Sequence, residues 1–176
     1  MEIDNYEKFK EMLREKRKDP LLLHCCCAPC SSQVLDILKE RFDITIFYYN
    51  PNTYPEDEFV KRLDEFKKLG FTKIIVLPYD HQEFVNIAQG MENEKEGGKR
   101  CFACYKLRLE ATAKYASLNN FPFFTTTLSI SPYKNSNKIN EIGQELANKY
   151  GLKFVYSNFK KEDGYKKSIV FYKQLE

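Results

Sequence analysis

The sequence predicts an α/β protein: a mostly parallel sheet flanked by helices in a three-layer sandwich. Three observations carry this. Short β-branched or aromatic runs alternate with amphipathic segments along the chain. Residues suited to chemistry gather directly after those runs, as they do beyond the carboxyl ends of strands in such sheets. Finally, 176 residues that are 43% hydrophobic and 15% aromatic suffice for one domain, 1–176, with a sizeable core. No repeat, linker or low-complexity tract divides the chain.

The elements follow in order. Tyr6, Phe9, Met12 and Leu13 recur at helical spacing, with Asp4 or Asn5 as a cap and Asp19-Pro20 beyond the end. Leu21 to His24 reads as a short buried strand. Ser31-Ser32 lead into an amphipathic helix over 33–38, and Ile44 to Tyr49 is a strand ending at Asn50-Pro51-Asn52. Pro55-Glu56 opens a helix through Phe66 that Gly70 stops. Lys73 to Leu77 is a third strand, ending at Pro78-Tyr79-Asp80, and a short helix over 82–88 follows. Glu92 to Lys99 is charged and glycine-containing, a loop that delivers Cys101 and Cys104 to a helix running from Tyr105 to Leu118. Phe121 to Thr127 is a strand, Ile139 to Tyr150 a helix closed by Gly151, Lys153 to Tyr156 a last strand, and Tyr165 to Leu175 a closing helix.

Composition narrows the function. Neither end carries an apolar signal region, and no window approaches the roughly 18 apolar residues of a membrane span, so the expectation is a cytoplasmic protein without a membrane partner. A net charge of +3 does not by itself demand a polyanion. Local basic runs at Arg14 to Lys18, Lys95 to Arg100, Lys106 to Arg108, Lys160-Lys161 and Lys166-Lys167 could nonetheless meet phosphates.

The strongest signal is "LLLHCCCAPC" at 21–30, which holds four of the six cysteines. In a reducing compartment such clustering points to a metal or to redox chemistry rather than to staples. With Cys101 and Cys104 it offers thiolates from two segments, a set that suits zinc or an iron–sulfur cluster. A zinc knuckle from Cys27-Ala28-Pro29-Cys30 would leave Cys25 and Cys26 without a task, and the surplus favours something larger. If Cys26, Cys27, Cys101 and Cys104 surround a [4Fe–4S] cluster, Cys30 stays close enough to bind a second metal or act as a thiol. Cys25 reads as a small buried hydrophobe. A structural zinc ribbon and a thioredoxin-like Cys-Ala-Pro-Cys motif are the competing readings.

Five ordered stretches carry a family resemblance: "HCCCAPCS" from His24, "YNPN" from Tyr49, "YPEDEFVKR" from Tyr54, "RCFACYKLRLEATA" from Arg100 and "FTTTLSISPYKN" from Phe124. Together they resemble the epoxyqueuosine reductases of the QueH type, from about residue 20 onward. The resemblance implies a nucleotide-hydrolase-like (PP-loop or HUP-like) sandwich whose cysteine turn stands where a glycine-rich phosphate loop would be. It implies conversion of epoxyqueuosine to queuosine at the tRNA wobble position, an iron–sulfur cluster, and a further mononuclear metal, iron, beside it. Its partners would be a tRNA containing epoxyqueuosine and an electron donor that the sequence does not identify. Many family members continue past the equivalent of Gln174-Leu175-Glu176 into a tyrosine- and arginine-containing tail with a Cys-Gly-Cys pair, which this sequence does not include.

On that reading Cys30 helps bind the second metal, and Asp80, Tyr79 or His81 serve as metal ligand or proton donor, although Asp80 also reads as an ordinary helix cap. His24 is expected to be a hydrogen-bonded structural histidine. Tyr49, Asn50, Asn52 and Tyr54 would frame the modified base, and Thr125, Thr126 and Thr127 would line the pocket floor. Arg62, Arg100, Arg108 and Lys134 are the candidates for tRNA phosphates. Two rival classes share these features, an ATP-dependent iron–sulfur tRNA-thiolating enzyme and a zinc-stabilised RNA-binding module.

Overall fold

A computed structural model describes residues 2–70, 73–131 and 134–156, with side chains from residue 7 onward. The helix expected over 165–175 and the lysine pairs at 160–161 and 166–167 lie outside the described residues.

Five strands form one parallel sheet in the order β3-β2-β1-β4-β5. They are β1 (Asp19–His24), β2 (Phe42–Tyr48), β3 (Ile74–Val76), β4 (Phe123–Thr126) and β5 (Lys153–Phe154). β1 lies at the centre of that order, and its Leu21, Leu22 and Leu23 are fully buried, as a strand covered on both faces requires. Strand alternation sends Leu21 and Leu23 to one core and Leu22 to the other. The first core is closed by α1 (Glu2–Leu13), α2 (Ala28–Leu38) and α3 (Glu56–Lys68) through Phe9, Val34, Leu38, Phe59 and Phe66. The second is closed by α5 (Lys99–Leu118) and α6 (Ser136–Tyr150) through Leu109, Ala113, Ile139 and Leu146, with the short α4 (His81–Ala88) packed beside α5. The three-layer expectation holds.

Five helices begin earlier than the sequence suggested, α4 by one residue at His81, α6 by three at Ser136, and three others as follows. α1 starts at Glu2, so Asp4 and Asn5 lie inside it rather than capping it. α2 starts at Ala28, with Pro29 in the first turn, where a missing N–H costs nothing because that donor has no helical partner anyway. α5 starts at Lys99 behind Gly98, which places Cys101 and Cys104 in its first two turns.

Away from the site, one basic residue is structural. Arg41 is 1% exposed and donates to the Met12 and Arg17 carbonyls at 3.0 Å each and to the Asp19 carboxylate at 2.8 Å, with its guanidinium 4.5 Å over the Phe42 ring.

Candidate functional site

The chain leaves β1 toward β2 and β3 on one side and later returns to place β4 and β5 on the other. Open sheets bind ligands in the crevice where the strand order turns in this way, beyond the carboxyl ends of the two diverging strands. Here those strands are β1, which runs into the cysteine turn, and β4, which runs into Thr127 and the 3₁₀ turn Leu128–Ile130. A cavity of about 200 Å³ opens at that point. Cys26, Cys27 and Cys30 line it together with Asn52, Arg62, Arg108 and Lys134.

The three sulfurs lie within 4.8 Å of one another. Cys27 caps α2 and Cys30 sits in its first turn, so the helix N-terminus favours negative charge on the group. Hydrogen bonds from the Cys27 and Cys30 thiols hold the Cys26 thiol well below its usual range against the opposing effect of burial, and the Arg108 charge reinforces them. The partners move the other way: the hydrogen bond to Cys26 raises Cys27, and the same interaction pushes Cys30 up to about 12. Within the triad, Cys26 is thus the sulfur at which negative charge is favoured over its two neighbours. Cys25 points elsewhere. It is fully buried in the first core, and its thiol donates to the Leu23 carbonyl at 3.6 Å, which matches the packing role expected of it.

Polar side chains brace the turn from below. The Asn50 amide donates to the Cys25 carbonyl at 2.9 Å and accepts from Arg108 at 3.4 Å, tying the cysteine turn to α5. Ser31 donates to the Cys27 carbonyl at 2.7 Å. His24 is fully buried, and burial beside Arg108 lowers its pKa to about 4, so it is neutral. Since Nε2 faces the Tyr49 carbonyl at 3.1 Å, that nitrogen bears the proton, and Nδ1 accepts from the Thr126 hydroxyl at 2.9 Å. His24 is structural, as expected.

Several expected site residues prove to be supports. Tyr49 is 4% exposed, its ring lies in the second core and its hydroxyl donates to Glu83, so its ring is not offered to a base. Tyr79 packs at a tilt against Phe59, ring centroids 4.8 Å apart, and donates to the Thr53 carbonyl at 2.7 Å. Asp80 is exposed and accepts from the Gln82 amide, an ordinary cap of α4. His81 is 2.7 Å from the Pro51 carbonyl. Thr126 serves His24 and accepts from the Leu128 amide, and Thr125 donates to the Val155 carbonyl, which leaves Thr127 to line the cavity. Arg100 reaches the Glu92 carbonyl at 3.3 Å and is not among the described lining residues.

Cys101 and Cys104 are outside the close thiol triad. Cys101 is half-buried and accepts from the Gly97 amide at 3.2 Å, while Cys104 is buried. Residues 101, 104 and 108 share one face of α5, and 108 is the arginine that lines the cavity. Thr53, Leu128, Ile130 and Ser131 also line it and were not anticipated. Their only sequence signal is adjacency to Asn52 and to the threonine-rich strand end.

A switch-point cavity built on adjacent cysteines, with a second cysteine pair along the helix that closes it, can be compared with known proteins. The sequence model described as "Epoxyqueuosine reductase QueH" matches residues 21–176. The chain belongs to the QueH family of epoxyqueuosine reductases. A relative of that name from Staphylococcus epidermidis is 37% identical over 181 residues, covering 94% of this chain and 76% of its own length. The Haemophilus influenzae relative is 40% identical, covering 89% and 68%, and the Thermotoga maritima relative 33%, covering 88% and 82%. Membership in QueH makes the chain an enzyme of the oxidoreductase class, as the five motifs implied. No helix among the described residues is long and apolar enough to cross a membrane.

Proposed function

We propose that the protein reduces epoxyqueuosine to queuosine at the wobble position of tRNA in the cytoplasm, using an iron–sulfur cofactor at the cysteine turn. The observation that carries this is the thiol triad at the switch point, in a chain whose family model covers nearly its whole length. The donor set fits the cofactor chemically: soft sulfur ligands, one already favoured as thiolate, at a helix N-terminus and beside Arg108. Cys26, Cys27, Cys101 and Cys104 would hold a [4Fe–4S] cluster, and Cys30 a second metal, iron. Bound there, the two would supply single electrons and a Lewis acid for the departing oxygen.

The reaction takes two electrons and two protons, breaks both epoxide C–O bonds, forms a C=C bond and releases water. The protein's share is to position the substrate and keep the cofactor side dry. Asn52, Arg62 and Lys134 at the cavity wall face the incoming nucleotide, and a cavity of about 200 Å³ is too small for a whole nucleotide, so the tRNA backbone stays outside on Arg62 and Lys134. Tyr54, 73% exposed and 5.0 Å from the His81 ring, replaces Tyr49 as the surface on which a base can stack. Neutral His24, with both ring nitrogens engaged, holds the strand end and donates no proton to substrate.

The close sulfurs alone would also fit a single ion, since two thiolates on one zinc stand at most about 4.6 Å apart. Activity separates the readings. Protein purified without oxygen, given a strong reductant and tRNA containing epoxyqueuosine, should yield queuosine in the digested nucleosides. Absence of queuosine under those conditions removes the proposed activity.

A further inference from the structure

Two buried polar atoms beside the thiols reach no partner among the described residues: Arg108 Nε and Asn52 Oδ1. Both side chains line the same cavity, and Arg108 is 3% exposed. A buried polar group left unmet costs about 1–3 kcal/mol, so such atoms ask for a ligand. Their chemistry is opposite and fixed. The arginine nitrogen can only donate, and the amide oxygen can only accept. An anion would satisfy the first and repel the second, and a cation the reverse. A neutral group that accepts from the first and donates to the second satisfies both, and a pair of adjacent hydroxyls is one such group.

We propose that Arg108 and Asn52 form a vicinal-diol subsite, with Arg108 Nε donating to one hydroxyl and Asn52 Oδ1 accepting from the other. This rests on the reductase reading, because epoxyqueuosine carries a diol on the cyclopentane ring that bears its epoxide. The diol lies one bond from the reacting carbons, so holding it fixes the epoxide against the thiol side of the cavity. Asn52 thereby differs from nearby Asn50, whose amide nitrogen and oxygen each have a protein partner. Arg108 has a divided role, with Nη1 on Asn50 and Nε left for substrate.

The test uses the full chain, loaded anaerobically with iron and sulfide, and an anticodon stem–loop that ends in a 3′-phosphate and carries queuosine, which keeps the diol. In that oligonucleotide the modified base holds the vicinal diol open to periodate. Periodate cleavage to the dialdehyde keeps acceptors and removes the donors. Wild-type protein should bind the cleaved stem–loop roughly tenfold or more weakly than the intact one, and equal binding overturns the subsite. In Asn52→Leu the difference between the two stem–loops should largely disappear, while KM for epoxyqueuosine tRNA rises about tenfold and iron content stays near wild type. An unchanged KM, or a fall in kcat alone, also overturns it. If N52L does not fold, the wild-type comparison still decides. Binding is read without turnover, so a wild-type protein that binds but forms no queuosine counts against the reductase reading alone.

Discussion

Cys25 and Cys26 are neighbours with opposite fates, and the cause is strand alternation. Cys25 turns into the first core, and Cys26 turns toward the cavity. Cys25→Ala should therefore lower stability by about 1 kcal/mol, read by urea unfolding, with iron loading intact. Cys26→Ala should lose both iron and turnover with little change in unfolding. Iron loss in C25A or retention in C26A would reverse the assignment. His24 makes a second residue-scale prediction. Its pKa falls from 6.5 to about 4 on folding, so the unfolded chain takes up a proton first as the pH drops. The metal-free protein should lose up to roughly 3 kcal/mol as pH falls from 6.5 to about 4. His24→Gln, which can accept from Thr126 and donate to Tyr49, should flatten that limb of the pH–stability curve. At this scale the sequence was partly legible. "CCC" after an apolar run announced the thiols, but which cysteine faces inward depends on register, and the two unmet atoms of Asn52 and Arg108 exist only in three dimensions.

Elements were legible where the pattern was strong and blurred at their starts. The unbroken apolar run Leu21–Leu23 located the central strand because only a strand covered on both faces can bury every residue. The start of α5 was missed because its first turn, Lys99 to Phe102, has no apolar period, and Gly98 at the cap is a weak signal. The buried Arg41 was invisible, since nothing in the sequence distinguishes it from surface basic residues; its partners come from the end of α1, the α1–β1 connection and β1. Close approach between elements gives a further prediction. A Cβ at Gly143 in α6 would sit 2.5 Å from the Phe154 ring of β5, and that ring is held edge-on to Phe124 at 5.1 Å. Gly143→Ala should destabilise by about 1–3 kcal/mol despite alanine's better helix propensity, read as a lower urea midpoint at unchanged slope. A gain in stability would show that α6 and β5 are not packed so tightly.

At the scale of the whole molecule, the strand order β3-β2-β1-β4-β5 creates one crevice, and the chain spends its cysteine turn, its Asn50–Thr53 loop and the start of α5 around it. The sandwich was legible from alternation alone. That β1 and β4 would be the diverging pair was not, because strand order is set by which crossovers pack and no local pattern records it. The central claim is that thiolates from the turn after β1 and from α5 serve one iron–sulfur cofactor. Iron, zinc and acid-labile sulfide measured on anaerobically reconstituted wild-type and Cys104→Ala protein test it most directly. The account predicts iron with sulfide in equal amounts plus a further iron in the wild type, and loss of the sulfide-bearing portion in C104A. Zinc without sulfide in the wild type, or an undiminished cluster in C104A, would contradict it.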